Sequence, residues 1–431
     1  MRLALPHPRA HPRALALALA AFVLALGCVG SAEEDGQPDV PRKPVEATSP
    51  APTETAPPTN EPPPSDPAPS DPPPTVGAPH DLGAAVDGVA YPSPDWAIGA
   101  PEDHGISSAG LAAAAAVADA NDSYCLLVIR HGVLVYERYF HGSDATAKNP
   151  SWSIAKSYTS TLVGIAIDRG DIKSLETSAS EYIVEWKGTP RERITIKNLI
   201  SMTSGLKWDA FEDYVSLATF AKDNTKFAID RDLANTPGTK WTYDNGTVQA
   251  LERVFRSATG RSIEEYARLH LWSKIGSDAS WKHDGAGNPT TYANVLASCR
   301  DQARLGYLYL RHGKWGSAQV VSSAFVAAAL TPSQTMNQAY GYLWWLNGGT
   351  PALDAMSVAW SGRMVPFAPR DLFAARGFGN QFVDVIPSKD LIVVRFGKDP
   401  GASFDLVKLA ADSRFDLHDK ILEPVLAAVA E

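Results

Sequence analysis

Apolar residues follow two different spacings along this chain, and each spacing dominates in its own region. Near the start of the folded part, helical spacing covers 108–120, and apolar runs then predict strands over 124–129 and 133–140. His131 and Gly132 between these runs are typical of a tight turn. Strand patterns return late in the chain, at 342–346, 372–375, 382–386 and 391–396. The long stretch between the two groups of strands is predicted to be mostly helical.

Several predicted helices carry sequence signals for where they begin or end. Thr195 is typical of an N-cap and Gly205 of a helix stop, and 262–265 has the sequence of a capping box. The predicted helices after the first strands cover 153–167, 195–204, 247–257, 262–271, 301–311, 322–330, 404–412 and 417–430. Strands at both ends with helices between them predict an α+β fold, in which one antiparallel sheet is flanked by helices and interrupted by an inserted, mostly helical subdomain at approximately 157–335.

The N-terminal region predicts export. Three arginines precede an apolar stretch over 14–26, which is too short for a stable membrane span and is typical of a signal peptide covering 1–27. Cys28 follows Gly27 directly, as in a bacterial lipoprotein cleavage site, so we expect Cys28 to become the acylated N-terminus. Ordinary secretion, with Cys28 idle or lost, is the alternative.

Residues 28–79 predict a disordered tether. Sixteen of the 33 prolines fall between Pro38 and Pro79, among small and polar residues that cannot form a core. A polyproline-like chain of this length would hold a domain on the order of 100 Å from its anchor. A binding role for its PxxP-like spacing is the alternative. The globular domain is predicted to cover 80–431.

The net charge of the chain argues against nucleic acid as a binding partner. The formal charge is −9, and loss of 1–27 removes three Arg and no acids, giving −12. An acidic exported protein is a poor partner for nucleic acid, and the lipid anchor is its one expected membrane contact. The predicted location is a bacterial membrane surface, while the oligomeric state is not predicted.

Cys125 and Cys299 are expected to be unpaired core thiols, although export would permit a disulfide.

The candidate chemistry begins at the sequence from Ser153 to Lys156. Ser-x-x-Lys in the first turn of a buried helix puts hydroxyl and amine on one face. A desolvated amine can be neutral and accept the proton of the hydroxyl, which would make Ser153 a nucleophile. A second match, from Ser204 to Lys207, is explained as a chance occurrence because Gly205 breaks the helical register.

A second motif lies about ninety residues further along. Tyr243 and Asn245 stand two apart on a predicted loop between a Pro-Gly turn at 237–238 and a helix. Both side chains could face one cleft, and an ordinary turn before a helix is the alternative. The His, Cys and acidic residues show no metal-ligand spacing, so no metal is expected.

These ordered motifs resemble the serine β-lactamase and penicillin-binding-protein superfamily, in its class C-like branch. The sequence from Ala375 to Gln381 looks like the third motif in the form seen in 6-aminohexanoate-dimer hydrolases and related esterases. The resemblance covers about 85–430 and implies a β-lactamase/transpeptidase-like fold without metal or organic cofactor.

The resemblance also implies roles for single residues. Ser153 would be the nucleophile, with Lys156 and Tyr243 sharing the proton transfers. Asn245 would bind the substrate or the lysine, and Arg376 could bind a carboxylate. The oxyanion hole would be the N–H groups of Ser153 and Phe378, and Gly377 would let the substrate approach that strand. Asp209, Glu212 and Tyr214 either line the pocket or form an exposed loop.

One departure from the superfamily narrows the substrate. Its third motif is usually Lys-Thr-Gly, and here Ala375, Arg376 and Gly377 stand in its place. We therefore expect a small-molecule or peptide-like amide or ester as the substrate of an exported serine hydrolase. The alternatives are a D-alanyl-D-alanine carboxypeptidase or β-lactamase, and a non-catalytic cell-wall binding protein.

Overall fold

A seven-stranded sheet forms the centre of the computed structural model, which describes residues 89–399 and 416–430. The predicted signal peptide, Cys28, the tether and the helix predicted at 404–412 lie outside the described residues. The strands of the described part are β1 (Ala97–Ile98), β2 (Ser123–Arg130), β3 (Val133–Tyr139), β4 (Asn149–Pro150), β5 (Ser280–Trp281), β6 (Val295–Ala297), β7 (Lys314–Trp315), β8 (Ala318–Gln319), β9 (Trp345–Leu346), β10 (Ala352–Leu353), β11 (Ala359–Trp360), β12 (Phe373–Gly377), β13 (Gln381–Ile386) and β14 (Leu391–Gly397).

The central sheet joins the two strand-rich ends of the chain. Its order is β1-β3-β2-β14-β13-β12-β9, and its neighbours are antiparallel except for the edge pair β1 and β3, which is parallel. The early strand β2 pairs with the late strand β14, with Val128 opposite Val393. Every residue of β13 and β14 is buried, because continuous apolar runs suit strands that are covered on both faces. The predicted α+β sheet is thus confirmed, with one parallel pair that the sequence did not predict.

Helices surround this sheet and fill the middle of the chain. The α-helices of the described part are α1 (Ser108–Asp119), α2 (Ala155–Asp168), α3 (Ile196–Ile200), α4 (Asn224–Asp230), α5 (Asn245–Thr259), α6 (Ile263–Ala267), α7 (Ser273–Ile275), α8 (Cys299–Leu310), α9 (Ser323–Ala329) and α10 (Asp416–Ala428). Glu212–Phe220 and Arg268–Trp272 are π-helical, and 3₁₀ turns occur at Glu102–His104, Trp152–Ile154, Ala179–Glu181, Val184–Trp186, Pro190–Arg193 and Pro387–Lys389.

Two helical layers cover opposite faces of the sheet. Helix α8 packs on one face, where a Cβ at Gly306 would lie 2.8 Å from a methyl group of Val383. Helix α10 packs on the other face, where the ring of His418 lies 4.8 Å from that of Phe382. Adjacent residues of a strand point to opposite faces, so the single strand β13 contacts both layers.

The predicted elements differ from the structure mainly at their ends. The predicted N-cap Thr195 is present and forms a capping box with Asn198, and the predicted capping box at Ser262 is also present. The helix predicted over 262–271 instead becomes α6, a π-helical turn and α7. The strand predicted over 342–346 is reduced to β9, because Leu343 has a φ of 59°, which interrupts the extended backbone.

A disulfide joins the sheet to helix α8. Cys125 on β2 and Cys299 at the start of α8 are bonded, with their Cα atoms 6.7 Å apart. The expectation of two unpaired thiols was therefore wrong. The sequence could not decide this, because 174 residues separate the two cysteines and only the packing of α8 on the sheet brings them together.

Two further properties concern only residues 89–399 and 416–430. No helix among them is both long and apolar enough to cross a membrane. None of their His, Cys, Asp and Glu side chains form a group of three or more that could hold a metal ion.

Replacing both Cys125 and Cys299 by Ala should lower the free energy of unfolding by about 2–4 kcal/mol, because the crosslink restricts a long loop in the unfolded chain. Urea unfolding of the variant and of the wild type measures this difference. Treating the wild type with a reductant should lower its midpoint similarly, while the variant should not respond. Equal midpoints for oxidised wild type and variant would contradict a stabilising crosslink.

Candidate active site

The candidate nucleophile Ser153 lies in the 3₁₀ turn that leads directly into α2. Trp152 before it has a φ of 48°, which bulky residues rarely adopt. The carbonyl of Trp152 accepts a hydrogen bond from the backbone N–H of Asn294 at 3.0 Å, and Ser151 Oγ accepts one from the N–H of Val295 at 2.9 Å. These bonds hold the strained turn, so Ser153 stays at the N-terminal end of α2, where negative charge is favoured.

Lys156 lies one turn further along α2 and is almost fully buried. Its Nζ lies 3.0 Å from Ser153 Oγ, 2.7 Å from Asn245 Oδ1 and 2.9 Å from the carbonyl oxygen of Tyr292. Burial lowers the pKa of Lys156 to about 7, although nearby carboxylates oppose this shift. A substantial fraction of Lys156 is therefore neutral near pH 7 and can accept the proton of Ser153.

Tyr243 covers the other side of this pair. Its ring centroid lies 4.7 Å from Lys156 Nζ, and its side chain lines the cavity together with Ser153. The ring stacks on Trp345 at 5.7 Å between centroids. Burial raises the pKa of Tyr243 above its ordinary value, although the nearby Ser153 side chain opposes this. Tyr243 is therefore protonated at neutral pH and can donate a proton to a leaving group.

Helix α5 begins at Asn245 and fixes the direction of that side chain. Asp244 is the N-cap residue, whose Oδ1 and Oδ2 accept hydrogen bonds from the N–H and Oγ1 of Thr247 at 3.0 and 2.6 Å. The cap explains why a polar residue separates Tyr243 from Asn245. With the helix start fixed, Asn245 Oδ1 can accept from Lys156 Nζ.

Asp213 and Arg231 complete a group of buried charges behind this site. Asp213 accepts hydrogen bonds from the backbone N–H groups of Asn245 and Gly246, both at 3.0 Å. Arg231 donates to Asp244 Oδ1 at 2.6 Å and lies 3.7 Å from Asp213 Oδ1. We call Lys156, Asp213, Arg231 and Asp244 the buried charge cluster. Burial raises the pKa of Asp213 and lowers that of Lys156, so the charges of the cluster balance both when these two groups are ionised and when both are neutral, which makes their burial possible.

The third motif lies on β12 and packs against the 3₁₀ turn Trp152–Ile154 that contains Ser153. A Cβ at Gly377 would lie 2.3 Å from the carbonyl oxygen of Ser151 and 3.2 Å from the backbone N of Ser153. Only glycine allows this close approach of two backbones. The ring of Phe378 meets that of Trp152 edge to face, with centroids 5.3 Å apart.

Arg376 lines the cavity and also interacts with acids on the α10 side of the sheet. Burial lowers the pKa of Arg376 to about 10, and the charges of Asp384 and Asp419 oppose that shift. His418 of α10 contacts both acids, with Nε2 2.6 Å from Asp384 Oδ2 and Nδ1 2.8 Å from Asp419 Oδ1. The positive charge of Arg376 is therefore partly balanced without any substrate.

A cavity of about 670 Å³ opens above Ser153. The sequence-predicted residues that line it are Ser153, Tyr214, Tyr243, Asn245, Arg376, Gly377 and Phe378. Lys156 is not among the lining residues and contacts Ser153 from below the cavity floor. Tyr292, whose carbonyl accepts from Lys156, forms part of the wall. The cavity thus exposes the nucleophile and keeps the amine away from solvent.

The acidic loop after Gly205 separates into two parts. Asp209 is exposed, and its carboxylate accepts from the backbone N–H groups of Phe211 and Glu212. Tyr214 lines the cavity, and its hydroxyl donates to the carbonyl of Ala355 at 2.8 Å. Asp209 and Glu212 are absent from the residues that line the cavity.

The second Ser-x-x-Lys match takes no part in the site. Ser204 is buried and its Oγ shares a hydrogen bond with Thr247 Oγ1 at 2.6 Å, whereas Lys207 is exposed. Glycine at 205 has a φ of 75°, outside the helical range. The interpretation of this match as a chance occurrence agrees with the structure.

Sequence reasoning missed Asp213, Arg231 and Tyr292. Asp213 and Tyr292 reach the site through backbone groups, which leave no residue-type signal in a motif. Asp244 could have been recognised as an N-cap before the predicted helix at 247–257. A buried acid at that cap would then have required a basic partner elsewhere in the chain.

Comparisons with known proteins identify the family and the fold. A family model described as beta-lactamase matches residues 112–412. The 6-aminohexanoate-dimer hydrolase of Paenarthrobacter ureafaciens is 26% identical over an alignment of 222 positions, and the match covers 47% of this chain. It covers 56% of the relative, so it spans little more than half of that protein's length.

Solved structures show the same fold. A Bacillus anthracis protein assigned as a 6-aminohexanoate-dimer hydrolase has a TM-score of 0.55 at 22% identity, covering 72% of this chain and 82% of its own. The class C beta lactamase of Rhodobacter sphaeroides has a TM-score of 0.51 at 18% identity, covering 73% of this chain and 100% of its own. At these identities the likeness concerns the fold alone.

Changing Gly377 to Ala should lower kcat/KM by at least about 100-fold, the usual effect of losing an oxyanion-hole donor, because the new methyl group would displace the backbone of Ser153. Steady-state hydrolysis of an activated ester measures this loss. As a matched control, Gly142 has a φ of 79° and open space at its Cβ. Gly142→Ala should cost about 1 kcal/mol of stability and leave the activity of the folded protein intact. Wild-type kcat/KM in Gly377→Ala would contradict the close approach.

Proposed function

The chain belongs to the beta-lactamase family and is a serine hydrolase, and from this premise we propose that it cleaves an amide or ester bond through an acyl intermediate on Ser153. One observation carries the proposal. The buried amine of Lys156 lies 3.0 Å from Ser153 Oγ and 4.7 Å from the ring centroid of Tyr243, which lines the same cavity as Ser153. A hydroxyl beside such an amine can lose its proton as it attacks a carbonyl.

The proposed acylation step conserves atoms and charge. Ser153 Oγ bonds to the carbonyl carbon of the substrate while its proton passes to neutral Lys156. Tyr243 donates its proton to the nitrogen or oxygen of the leaving group as the bond to that group breaks, and Lys156 returns a proton to Tyr243. The N–H groups of Ser153 and Phe378 would stabilise the negative charge on the carbonyl oxygen. Water then releases the acyl group by the reverse proton path.

The charge of Arg376 bears on the choice of substrate. A β-lactam or a D-alanine terminus brings a carboxylate, which needs an available positive charge. Asp384 and Asp419 already partly balance Arg376. This supports small-molecule or peptide-like amides or esters without a carboxylate near the scissile bond over the substrates of a carboxypeptidase or β-lactamase. A purely cell-wall-binding role would have no use for Lys156 and Tyr243 around Ser153.

Export is part of the proposal. The disulfide between Cys125 and Cys299 supports it, because such bonds form and persist mainly outside the reducing cytosol. We propose that residues 1–27 direct export, that acylated Cys28 anchors the protein to a bacterial membrane, and that residues 28–79 carry the enzyme away from that membrane.

A fluorophosphonate should add one covalent adduct, at Ser153, because this hydroxyl has a base beside it and faces the cavity. Intact mass and peptide mapping identify the site. Ser153→Ala should not react, whereas the matched variant Ser204→Ala should react like the wild type. Failure of the wild type to react with any fluorophosphonate or acylating ester would count against an acyl-Ser153 mechanism.

An uncharged butyrate ester should be hydrolysed with at least about tenfold higher kcat/KM than the succinate half-ester of the same alcohol, because Asp384 and Asp419 already partly balance the charge of Arg376 and the added carboxylate must give up its hydration. Both esters release the same chromophore, so a single assay compares them. Arg376→Gln should change the two values by similar factors. A preference for the succinate ester that is lost in Arg376→Gln would instead make Arg376 a carboxylate-binding residue, and nitrocefin turnover would favour a β-lactamase.

A further inference from the structure

Asp213 lies behind the site, outside the cavity lining, and is fully buried. It belongs to the π-helical segment Glu212–Phe220, and its carboxylate accepts from the first two backbone N–H groups of α5. The first of these is the N–H of Asn245, whose side chain accepts from Lys156 Nζ. Asn245 therefore connects Asp213 to the amine of Lys156, because its backbone N–H donates to Asp213 and its side-chain oxygen accepts from Lys156.

The charges around Asp213 explain why an acid is present there. Within the part of the chain that the structure describes, Lys156 contacts no carboxylate directly, since its three acceptors there are a hydroxyl, an amide oxygen and a backbone carbonyl. The negative charges of Asp213 and then Asp244 favour its protonated form. Arg231 offsets both acids from the opposite side. The other ionisable groups that face this cluster are Tyr214, Tyr243, Tyr292 and Glu212.

We propose that Asp213 is a positioning residue for acylation, which holds the Asn245 backbone against Lys156 and supplies the negative charge that balances this amine. The inference rests on the proposed acyl-Ser153 mechanism. The same segment carries Tyr214, which lines the cavity and donates to Ala355. The cavity wall and the acid–base pair are thus connected through adjacent residues of one segment.

If the role of Asp213 were purely structural, its removal would affect stability but not the pH dependence of activity. If Asp213 only capped the start of α5, its loss would destabilise the helix but would not change the pH at which Lys156 loses its proton. If it balances Lys156, removal of its negative charge disfavours the ammonium form and lowers the pKa of Lys156. Neutral Lys156 is the active form, so activity rises with pH through that pKa. In a variant without this negative charge, the acidic limb of the pH–activity profile should therefore move to lower pH.

Asp213→Asn tests this role in the full chain. The acidic limb of kcat/KM, and of the rate of fluorophosphonate labelling, should move down by about 1 pH unit. The maximal kcat/KM should fall about tenfold, because an amide cannot accept from both N–H groups. The matched control is Glu252→Gln on α5, which neutralises a buried acid that accepts from the N–H of Ile263 and pairs with Arg256. In this control, the acidic limb of the pH profile should lie at the same pH as in the wild type.

A second variant keeps the test decisive if Asp213→Asn folds poorly. Arg231→Gln removes the cation that offsets the two acids, so the acidic limb should move to higher pH. Shifts of opposite sign cannot come from a general loss of stability. A folded Asp213→Asn with the wild-type limb would overturn the inference, as would an unchanged limb in Arg231→Gln. A wild type that fluorophosphonate does not label would remove the acyl-Ser153 mechanism itself, and with it this role of Asp213.

Discussion

The removal of water from the Lys156 amine is the constraint on which the rest of the site depends. A lysine in water has a pKa near 10.4 and would be a poor base at neutral pH. Burial of α2 on all sides lowers that value to about 7, but a buried amine also needs acceptors and a nearby opposite charge. Asn245 and Tyr292 provide acceptors, and the two acids of the buried charge cluster provide the charge. Arg231 limits how strongly those acids hold the proton on Lys156.

The backbone provides a second constraint, on the position of the nucleophile. Trp152 has an unusual φ, and Gly377 leaves no room for a side chain beside Ser153. The surrounding structure holds this backbone in place. The N–H groups of Asn294 and Val295 bind it on one side, and β12 packs against it on the other. The result is a hydroxyl fixed between a helix end and a strand end. Strain of this kind is typical of sites where a reacting group must not move.

How much could be predicted from the sequence depended on the distance over which each signal acts. Ser153 and Lys156 share one helical turn, and the residues from Tyr243 to Asn245 form a short motif, so local spacing was sufficient. The N-cap at Thr195 and the capping box at Ser262 were predictable for the same reason. Asp213, Arg231 and the partner of Cys125 reach their contacts only through tertiary packing, and the φ of Leu343 follows from no local pattern. Strand patterns predicted the antiparallel sheet, and the resemblance to a superfamily added its fold family, but neither gave the parallel pair or the true length of β9.

The pairing of β2 with β14 has a consequence for when this protein can fold. The central strands of the sheet lie more than 250 residues apart in the sequence, and α1 near the start packs beside α10 near the end. Contacts over such separations form late, because a long loop must close before they contribute. A ribosome-bound chain that has not yet reached Leu391 lacks the middle of its own sheet. The turn that holds Ser153 is therefore synthesised long before the sheet that positions it, and the proposed hydrolytic activity requires the complete sheet.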